Sequence, residues 1–224
     1  MARGKLIVLE GIDGSGKSTQ YRLLRERFQK ENIPFHSTVF PRYQEESSAL
    51  IRMYLGGAFG DKPSDVNACA AAVFFAVDRF ASYKQDWGSI YENGGLILAD
   101  RYTTSNAVHQ GCKVPEGELS AFFDWLYDFE YIRMELPRPD LVIYLDVDLE
   151  TSMARIRRRE AKNHTSADIH EKDADYLRAC LRTGRLAAAH YGWRVVDFLK
   201  DGAERDKWEK NEEVFRIIKE TGLI

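Results

Sequence analysis

The sequence contains few cysteines and no long apolar run. Its three cysteines, Cys69, Cys112 and Cys180, lie far apart and match no metal-ligand spacing. This pattern argues against structural disulfides and zinc and favours a reducing compartment. No apolar run approaches the ~20 residues that a membrane span needs, and no signal peptide is recognisable before the first strand-like run. We therefore expect a cytoplasmic protein without a membrane partner.

An excess of charge of one sign is also absent. The chain has 32 lysines and arginines against 35 aspartates and glutamates, a formal net charge of −3, and its basic residues are dispersed. We therefore expect no general nucleic-acid surface. A hydrophobic content of 44% over 224 residues is sufficient for a core. Because the chain contains no repeat or linker, we expect a single domain over residues 1–224.

A glycine-rich motif lies between a strand-like run and a helix-like run near the start of the chain. Residues 6–9 are apolar, residues 11–19 have the sequence GIDGSGKST, and residues 20–30 have helical character. The pattern G-x-x-x-x-G-K-[ST] binds phosphate when it connects a buried strand to a helix N-terminus, where unpaired amides and the helix dipole meet the anion. The alternative is a glycine-rich turn that happens to precede a lysine.

The motif predicts how a nucleoside triphosphate would be held. Its glycines let the backbone close around phosphate oxygens without a Cβ in the way. Lys17 would reach the β- and γ-phosphates, and Ser18 would hold Mg²⁺. The residues predicted to bind the triphosphate are Gly11, Ile12, Asp13, Gly14, Ser15, Gly16, Lys17, Ser18 and Thr19.

Strand-like runs alternate with helical runs along the rest of the chain. Strands are predicted at 6–9, 33–40, 96–99, 141–147 and 193–198, and helices at 20–30, 46–55, 68–91, 116–135, 150–160, 168–191 and 205–220. Ser64 or Asp65 can cap the helix at 68–91. Five apolar strands separated by helices predict a three-layer α/β/α P-loop NTPase fold with a five-stranded parallel sheet. In such sheets, ligands bind beyond the carboxyl ends of the strands.

Charged side chains follow two of these strands. Arg42 comes after the second strand, and Asp100 and Arg101 come after the third. An arginine fork suits a phosphate, and a carboxylate at a strand end suits a water-bridged Mg²⁺. Taken alone, an arginine in such a turn is more often a solvated charge, and Asp100 and Arg101 could equally be a structural ion pair.

Two further patterns leave a structural and a functional interpretation open. Phe75 and Arg79 share one helix face and could stack and hold a base, or Phe75 could belong to the core. Four arginines occur within residues 155–159, just before a polar stretch at 160–167. They could form a solvated helix face, or a lid that brings arginines to the transferring phosphates.

Taken together and in this order, the motifs resemble those of thymidylate kinases. The motifs are GIDGSGKST, FPRY, FAVDR, DRYTTSNAVHQG, PDLVIYLDV and the arginine-rich segment before the polar loop, and the resemblance covers roughly residues 5–171. It implies a P-loop nucleoside monophosphate kinase, usually a homodimer, that uses ATP and Mg²⁺ to phosphorylate dTMP to dTDP.

The resemblance also implies roles for individual residues. Lys17, Arg101, Arg157 and Arg159 would be catalytic, and Ser18 and Asp100 would serve the metal. Asp13 would lie near the sugar 3′-hydroxyl, Arg42 at the acceptor phosphate, and Phe75 against the thymine ring. The full set implied to bind dTMP is Asp13, Phe40, Arg42, Phe75, Arg79, Arg101, Ser105, Asn106, His109 and Gln110.

The family divides by whether the transition-state arginine lies in the P-loop or in the lid. Position 14 is glycine and the loop has no arginine, so the resemblance implies a lid-type enzyme with a mobile lid at about 157–170. His109 stands where many members have a tyrosine near the sugar.

Two other classes of function remain as alternatives. A deoxynucleoside kinase would share the phosphate loop, but Arg42, Arg79 and Arg101 together favour an acceptor that is already anionic. Another nucleoside monophosphate kinase stays open as an alternative. A nucleotide-dependent switch or assembly ATPase is less compatible, because the sequence lacks the N-K-x-D guanine motif of switch GTPases.

Overall fold

The computed structural model describes residues 3–163, 170, 173–200 and 203–224. Seven strands occur among these residues: β1 (Lys5–Glu10), β2 (His36–Val39), β3 (Leu96–Asp100), β4 (Leu141–Asp146), β5 (Arg194–Asp197), β6 (Leu199–Lys200) and β7 (Ala203–Glu204). The first five form one parallel sheet in the order β2-β3-β1-β4-β5. The predicted five-stranded parallel sheet is therefore confirmed. The short hairpin of β6 and β7 was not predicted.

Helices surround this sheet. They are α1 (Lys17–Lys30), α2 (Ala49–Leu55), α3 (Ala68–Ser82), α4 (Gly88–Glu92), α5 (Thr104–His109), α6 (Leu119–Tyr127), α7 (Leu149–Asn163), α8 (Ala174–Tyr191) and α9 (Lys207–Glu220). The predicted helix at 68–91 is present as α3 and α4 joined by π-helical turns at Tyr83–Trp87. A second π-helical segment, Asp128–Arg133, follows α6. No helix among the described residues is long and apolar enough to cross a membrane.

The cap of α3 and the start of α8 differ from the prediction. The cap of α3 is Asn67, whose side chain accepts from the Ala70 amide, and neither Ser64 nor Asp65 fills this role. The helix predicted from residue 168 begins at Ala174, after the Asp173 cap. Residues 164–169, 171 and 172, which belong to the predicted lid and to the start of the helix predicted at 168–191, lie outside the described residues.

The two faces of the sheet bury separate apolar clusters. Ile7 and Leu9 of β1 pack with Phe28 of α1 and Phe215 of α9 on one face. On the other face, Leu6 and Val8 belong to a cluster that includes Trp87 and Tyr102. Burial of both faces explains the nearly continuous apolar sequences of the central strands.

The strand register brings the carboxyl ends of the central strands together. Leu9 pairs with Asp100, and Glu10 pairs with Tyr144. The segments that leave β1 and β3 therefore start side by side, with α7 entering from β4. The phosphate-loop motif and the Asp100–Arg101 pair consequently lie at one edge of the sheet.

Candidate active site

The phosphate loop connects β1 to α1, as the sequence predicts. Gly14 and Gly16 have φ of 73° and 87°, a region that side chains disfavour. A Cβ at Gly14 would lie 2.3 Å from the Ser152 carbonyl oxygen, and one at Gly16 would lie 3.0 Å from the Arg155 guanidinium. The two glycines therefore let α7 pack directly on the loop.

Lys17 lies at the start of α1 and contacts the Asp100 carboxylate. The structure buries Lys17 to 6% exposure. Burial lowers the pKa of Lys17, a shift that Arg101 increases and Asp100 opposes. The lysine is thus held by the residue predicted to serve the metal.

Glu10, the last residue of β1, organises the neighbouring polar groups and was missed by the sequence analysis. Its fully buried carboxylate accepts from the Gly11 amide at 2.8 Å and from the hydroxyls of Thr104 at 2.6 Å and Ser105 at 2.7 Å. Arg101 Nη1 lies 3.4 Å from the same carboxylate. The sequence signal that could have identified Glu10 is its position as an acidic residue at the end of an otherwise apolar strand.

Arg101 joins the phosphate loop to α5. Its Nη2 donates to Asp13 Oδ1 at 2.6 Å, and its Nη1 lies 3.0 Å from His109 Nε2. The residue has φ of 68°, an uncommon conformation for a side chain of this size. Although burial acts to raise the pKa of Asp13, the Arg101 guanidinium holds it well below its usual range. Asp13 is therefore a carboxylate near neutral pH.

A pocket opens between the phosphate loop, α3 and α5. It is lined by Asp13, Phe40, Pro41, Tyr43, Leu55, Phe75, Arg79, Arg101, Tyr102, Ser105, Asn106, His109, Gln110 and His170. We call it the acceptor pocket. Nine of the ten residues implied to bind dTMP line it, and the exception is Arg42.

Arg42 lies beside the acceptor pocket in an ion pair. Its amide donates to Asp78 Oδ2 at 2.9 Å, and its Nε lies 3.5 Å from Asp78 Oδ1. Ser47 donates to the same buried carboxylate. Asp78 therefore fixes the turn after β2 against α3, a role that the sequence analysis did not predict.

Arg79 is deeply buried at the end of the acceptor pocket. Its Nε donates to Glu130 Oε2 at 2.6 Å, and its Nη2 donates to Glu130 Oε1. Glu130 belongs to the π-helical segment after α6, and its side chain is fully buried. It was also missed, because nothing in the sequence distinguishes it from the other acidic residues near α6.

One wall of the acceptor pocket contains two stacked histidines. The rings of His109 and His170 are 5.9 Å apart and nearly parallel, and Tyr54 Oη lies 2.9 Å from His170 Nε2. Burial, together with Arg101, lowers the pKa of His109 to about 3. Burial also lowers the pKa of His170 well below its usual value. Both rings are therefore neutral near neutral pH. His170 is a pocket residue that the sequence analysis did not assign.

Gln110 faces the acceptor pocket with an unsatisfied amide. The residue is 1% exposed, and neither its Oε1 nor its Nε2 has a hydrogen-bond partner among the described residues. A buried amide without partners costs free energy. A ligand that supplies hydrogen bonds in this pocket would remove that cost.

A second pocket lies over the phosphate loop, and we call it the phosphate pocket. Its lining comprises Ile12, Asp13, Gly14, Ser15, Gly16, Lys17, Ser18, Thr19, Arg101, Arg155, Ile156, Arg158 and Arg159. Three of the four arginines of α7 therefore line it. Arg157, which was predicted to be catalytic with Arg159, does not.

The groups near Lys17 are compatible with Mg²⁺. Ser18 offers a hydroxyl on the first turn of α1, and Asp100 offers a carboxylate at the adjacent strand end. No cluster of three or more metal-binding side chains is present among the described residues. Mg²⁺ commonly takes only one or two carboxylates from a protein and completes its shell with phosphates and water. The oxygen donors present here fit that pattern.

Comparisons with known proteins point to one family. A family model described as "Thymidylate kinase" matches residues 9–198. A thymidylate kinase from Mycobacterium tuberculosis (strain ATCC 25618 / H37Rv) is 33% identical over 199 residues, which cover 85% of this chain and 90% of that protein. A "Probable thymidylate kinase" from Pyrobaculum aerophilum is 30% identical over 213 residues, 95% of each chain. A thymidylate kinase structure from Candida albicans has a TM-score of 0.69 and 22% identity, covers 100% of this chain and 94% of that one, and supports the fold.

Proposed function

Because the chain belongs to the thymidylate kinase family, we propose that it phosphorylates dTMP to dTDP with ATP and Mg²⁺, using the two pockets described above. One observation carries the proposal. Asp13 and Arg101 line both the acceptor pocket and the phosphate pocket. A nucleoside monophosphate in the first and a triphosphate in the second would therefore meet at these two residues. Holding both partners in line is the main requirement of phosphoryl transfer.

The phosphate pocket would hold the triphosphate. The loop amides and Lys17 would bind its phosphates, and Ser18 and Asp100 would serve Mg²⁺ directly or through water. The bound metal would neutralise developing charge on the phosphates. Since Lys17 contacts Asp100 in this structure, the lysine would turn from the carboxylate toward phosphate when the triphosphate binds.

The acceptor pocket would hold dTMP. Phe75 would stack on the thymine ring, and Asn106 and Arg79 would meet its polar edge. Asp13, Ser105, His109 and Gln110 would surround the sugar, while Arg101 would face the acceptor phosphate. Arg42, beside the pocket, would add a second positive charge near that phosphate. These cationic groups favour a monophosphate over an uncharged nucleoside.

The arginines of α7 would supply the transition-state charge. A side chain at position 14 is excluded by the backbone of Ser152, and the other positions of the loop carry no arginine. Arg158 and Arg159 both line the phosphate pocket. We therefore assign the transition-state role to Arg159, with Arg158 beside it. Arg157 remains a weaker candidate, because it lies outside that lining.

We also propose a homodimer and a cytoplasmic location. Val73, Val77 and Phe80 of α3 are exposed to 37%, 44% and 37% and recur on one helix face, an arrangement suited to packing against a second copy. The scattered cysteines support the location, as argued from the sequence.

A coupled assay of ATP consumption tests the proposed function. We expect turnover with dTMP and Mg²⁺ that is lost when the metal is chelated. The assay should be repeated with dUMP, dCMP and thymidine as acceptors. Thymidine as the preferred acceptor would indicate a deoxynucleoside kinase, and ATP hydrolysis independent of any acceptor would indicate a switch or assembly ATPase.

A further inference from the structure

A buried carboxylate lies behind the part of the acceptor pocket where the base would bind. Glu130 is fully buried and accepts four hydrogen bonds, from Arg79 Nε, Arg79 Nη2, Thr103 Oγ1 and Asn106 Nδ2. Arg79 and Asn106 line the pocket, but Glu130 does not. On the basis of the proposed function, we propose that Glu130 is a positioning residue. Through Arg79 and Asn106 it makes the acceptor pocket select a pyrimidine with an N3–H group.

The ion pair fixes the Arg79 guanidinium. The two Glu130 oxygens engage Nε and Nη2, a bidentate geometry that defines the plane of the guanidinium. Arg79 itself is 2% exposed, so this charge could not remain buried without its partner. Its Nη1 makes no hydrogen bond to the described residues. Glu130 thus leaves one donor edge of Arg79 for the pocket.

The same carboxylate determines which way the Asn106 amide points. Asn106 Nδ2 donates to the Ala72 carbonyl oxygen at 3.0 Å and to Glu130 Oε1 at 2.9 Å. Both partners are acceptors that cannot donate. Rotating the amide would place Oδ1 against these two oxygens, so the observed orientation is enforced. No described residue donates to Oδ1, and this acceptor is therefore left for a ligand in the pocket.

The pocket consequently presents an acceptor on Asn106 beside a donor on Arg79. Thymine and uracil match this pair, because N3–H donates and O4 accepts. Cytosine presents the reverse pattern, with an accepting N3 and a donating amino group. Groups built to hydrogen-bond one pattern strongly reject a ligand that leaves them unpaired. Glu130 would therefore control base selectivity from outside the pocket.

Replacing the carboxylate by an amide tests this role. Glu130→Gln keeps the shape of the side chain. Its NH₂ group replaces one of the two carboxylate oxygens, and each of those oxygens accepts from an Arg79 N–H group, so in either orientation of the amide two donors face each other. We expect KM for dTMP to rise at least ~10-fold and the ratio of kcat/KM for dTMP to that for dCMP to fall at least ~10-fold. KM for ATP should stay within about twofold, since the phosphate pocket does not contact Glu130.

Asp78→Asn is the matched control. Asp78 is also a buried carboxylate paired with an arginine, but its partner is Arg42. We expect this variant to leave the dTMP to dCMP ratio unchanged, even if the KM for dTMP changes. A purely structural role of Glu130 would lower the melting temperature without moving that ratio. An unchanged ratio in folded Glu130→Gln overturns the inference.

A substrate analogue provides a second measurement. N3-methyl-dTMP lacks the N3–H group, and the unmodified enzyme should use it at least ~100-fold less efficiently than dTMP. Glu130→Gln should lower kcat/KM for dTMP much more than for this analogue. An equal loss for both substrates would show that Glu130 does not act through the N3–H contact.

Two further outcomes separate the possible failures. If Glu130→Gln does not fold, Glu130→Asp takes its place. Aspartate keeps the negative charge, but its side chain is one methylene shorter and moves the carboxylate away from Asn106. A folded Glu130→Asp with an unaltered dTMP to dCMP ratio also overturns the inference. Absence of dTMP turnover in the unmodified enzyme would instead refute the proposed function itself.

Discussion

The guanidinium of Arg155 donates a hydrogen bond to the Gly14 carbonyl oxygen over 2.9 Å. One turn earlier, Ser152 Oγ donates to the Asp13 carbonyl oxygen at 2.7 Å. These contacts attach α7 to the phosphate loop. Arg159 follows Arg155 by four residues and therefore lies on the same helix face. The arginine proposed to act in the transition state is thus positioned by the loop over which it acts.

Arg159→Ala and Arg157→Ala should differ in turnover. Arg159 lines the phosphate pocket and Arg157 does not, although both belong to α7. We expect Arg159→Ala to lower kcat at least ~10-fold, a barrier increase of about 1.4 kcal/mol, with dTMP affinity nearly unchanged. Arg157→Ala should change kcat by less than about twofold. Steady-state kinetics and equilibrium titration measure the two quantities, and equal losses in the two variants would contradict the assignment.

The kcat of the double variant Arg158→Ala/Arg159→Ala should be lower than that of Arg159→Ala. Neighbouring arginines can partly replace one another, so removing both gives the larger loss. Normal turnover of this double variant would mean that α7 presents only a solvated basic face. The transition-state charge would then have to come from Arg42, Arg101 or the second copy of a dimer.

Lys17→Met should remove activity and also reduce stability. The lysine is predicted to reach the transferring phosphates, and loss of such a donor typically lowers kcat ~10²–10³-fold. The substitution also leaves the Asp100 carboxylate buried without its cation, at a cost of about 1–3 kcal/mol. Lys17→Met/Asp100→Asn should recover stability in chemical denaturation but remain inactive. Recovery of activity in this double variant would refute a phosphate-binding role for Lys17.

Gly14→Ala should destabilise the protein more than Gly192→Ala. Both residues have positive φ, 73° and 69°, so both alanine variants carry the strain of the left-handed region, about 1–2 kcal/mol. Only at Gly14 would the new Cβ also meet a backbone carbonyl, at 2.3 Å, whereas nothing lies within 4 Å at Gly192. Thermal unfolding measures the difference. Equal shifts in melting temperature would show that α7 can move away from the new Cβ at Ser152 with little loss of stability.

Stability should fall as the pH drops below about 6.5, partly because of His109. Its pKa is about 3 in the folded protein, against an ordinary value of 6.5, so between these values the unfolded chain binds more protons than the native one. One such histidine contributes a slope of up to about 1.4 kcal/mol per pH unit, with stability rising as pH rises. Denaturation of the wild type and His109→Gln from about pH 4.5 to 7 tests this. The free energy of unfolding of the variant should depend less steeply on pH, by up to the contribution of one bound proton. Identical slopes would mean that another group binds the proton on unfolding, with His170 the next candidate.

Val77→Glu should convert the proposed dimer to a monomer. Val77 lies in the middle of the exposed apolar face of α3, and a charge buried between two copies would be costly. Light scattering measures the mass in solution. Leu186→Glu is the control, because Leu186 is exposed to 38% but belongs to α8 and not to the exposed face of α3. A monomeric wild type would refute the dimer without affecting the proposed chemistry.

Much of the site could be predicted because its motifs are local. The loop from Gly11 to Thr19 carries its own signal, since glycines at fixed spacing between a strand and a helix have few other uses. The side chains after β2 and β3 followed from the rule that ligands bind at the carboxyl ends of parallel strands. Nine of the ten residues implied to bind dTMP accordingly line one pocket.

The residues that were missed act through contacts distant in sequence. Glu130 meets Arg79 across 51 positions, and Glu10 meets Arg101 across 91. Their roles depend on packing that no periodicity reveals. Even the signal at Glu10, an acidic residue ending an apolar strand, does not show whether the side chain is buried or solvated. The burial of Lys17 against Asp100 was unpredicted for the same reason.

By itself, the sequence determined the fold class, the phosphate loop and the family, because each depends on local patterns of apolar residues, glycines and short motifs. Only the tertiary structure decided which arginines line the phosphate pocket. The sequence does not distinguish Arg157 from Arg159, since both belong to the same basic segment. In the structure, α7 packs on the phosphate loop at Gly14 through Ser152 and Arg155. That packing fixes the rotation of the helix about its axis, so that Arg159 lines the phosphate pocket and Arg157 does not.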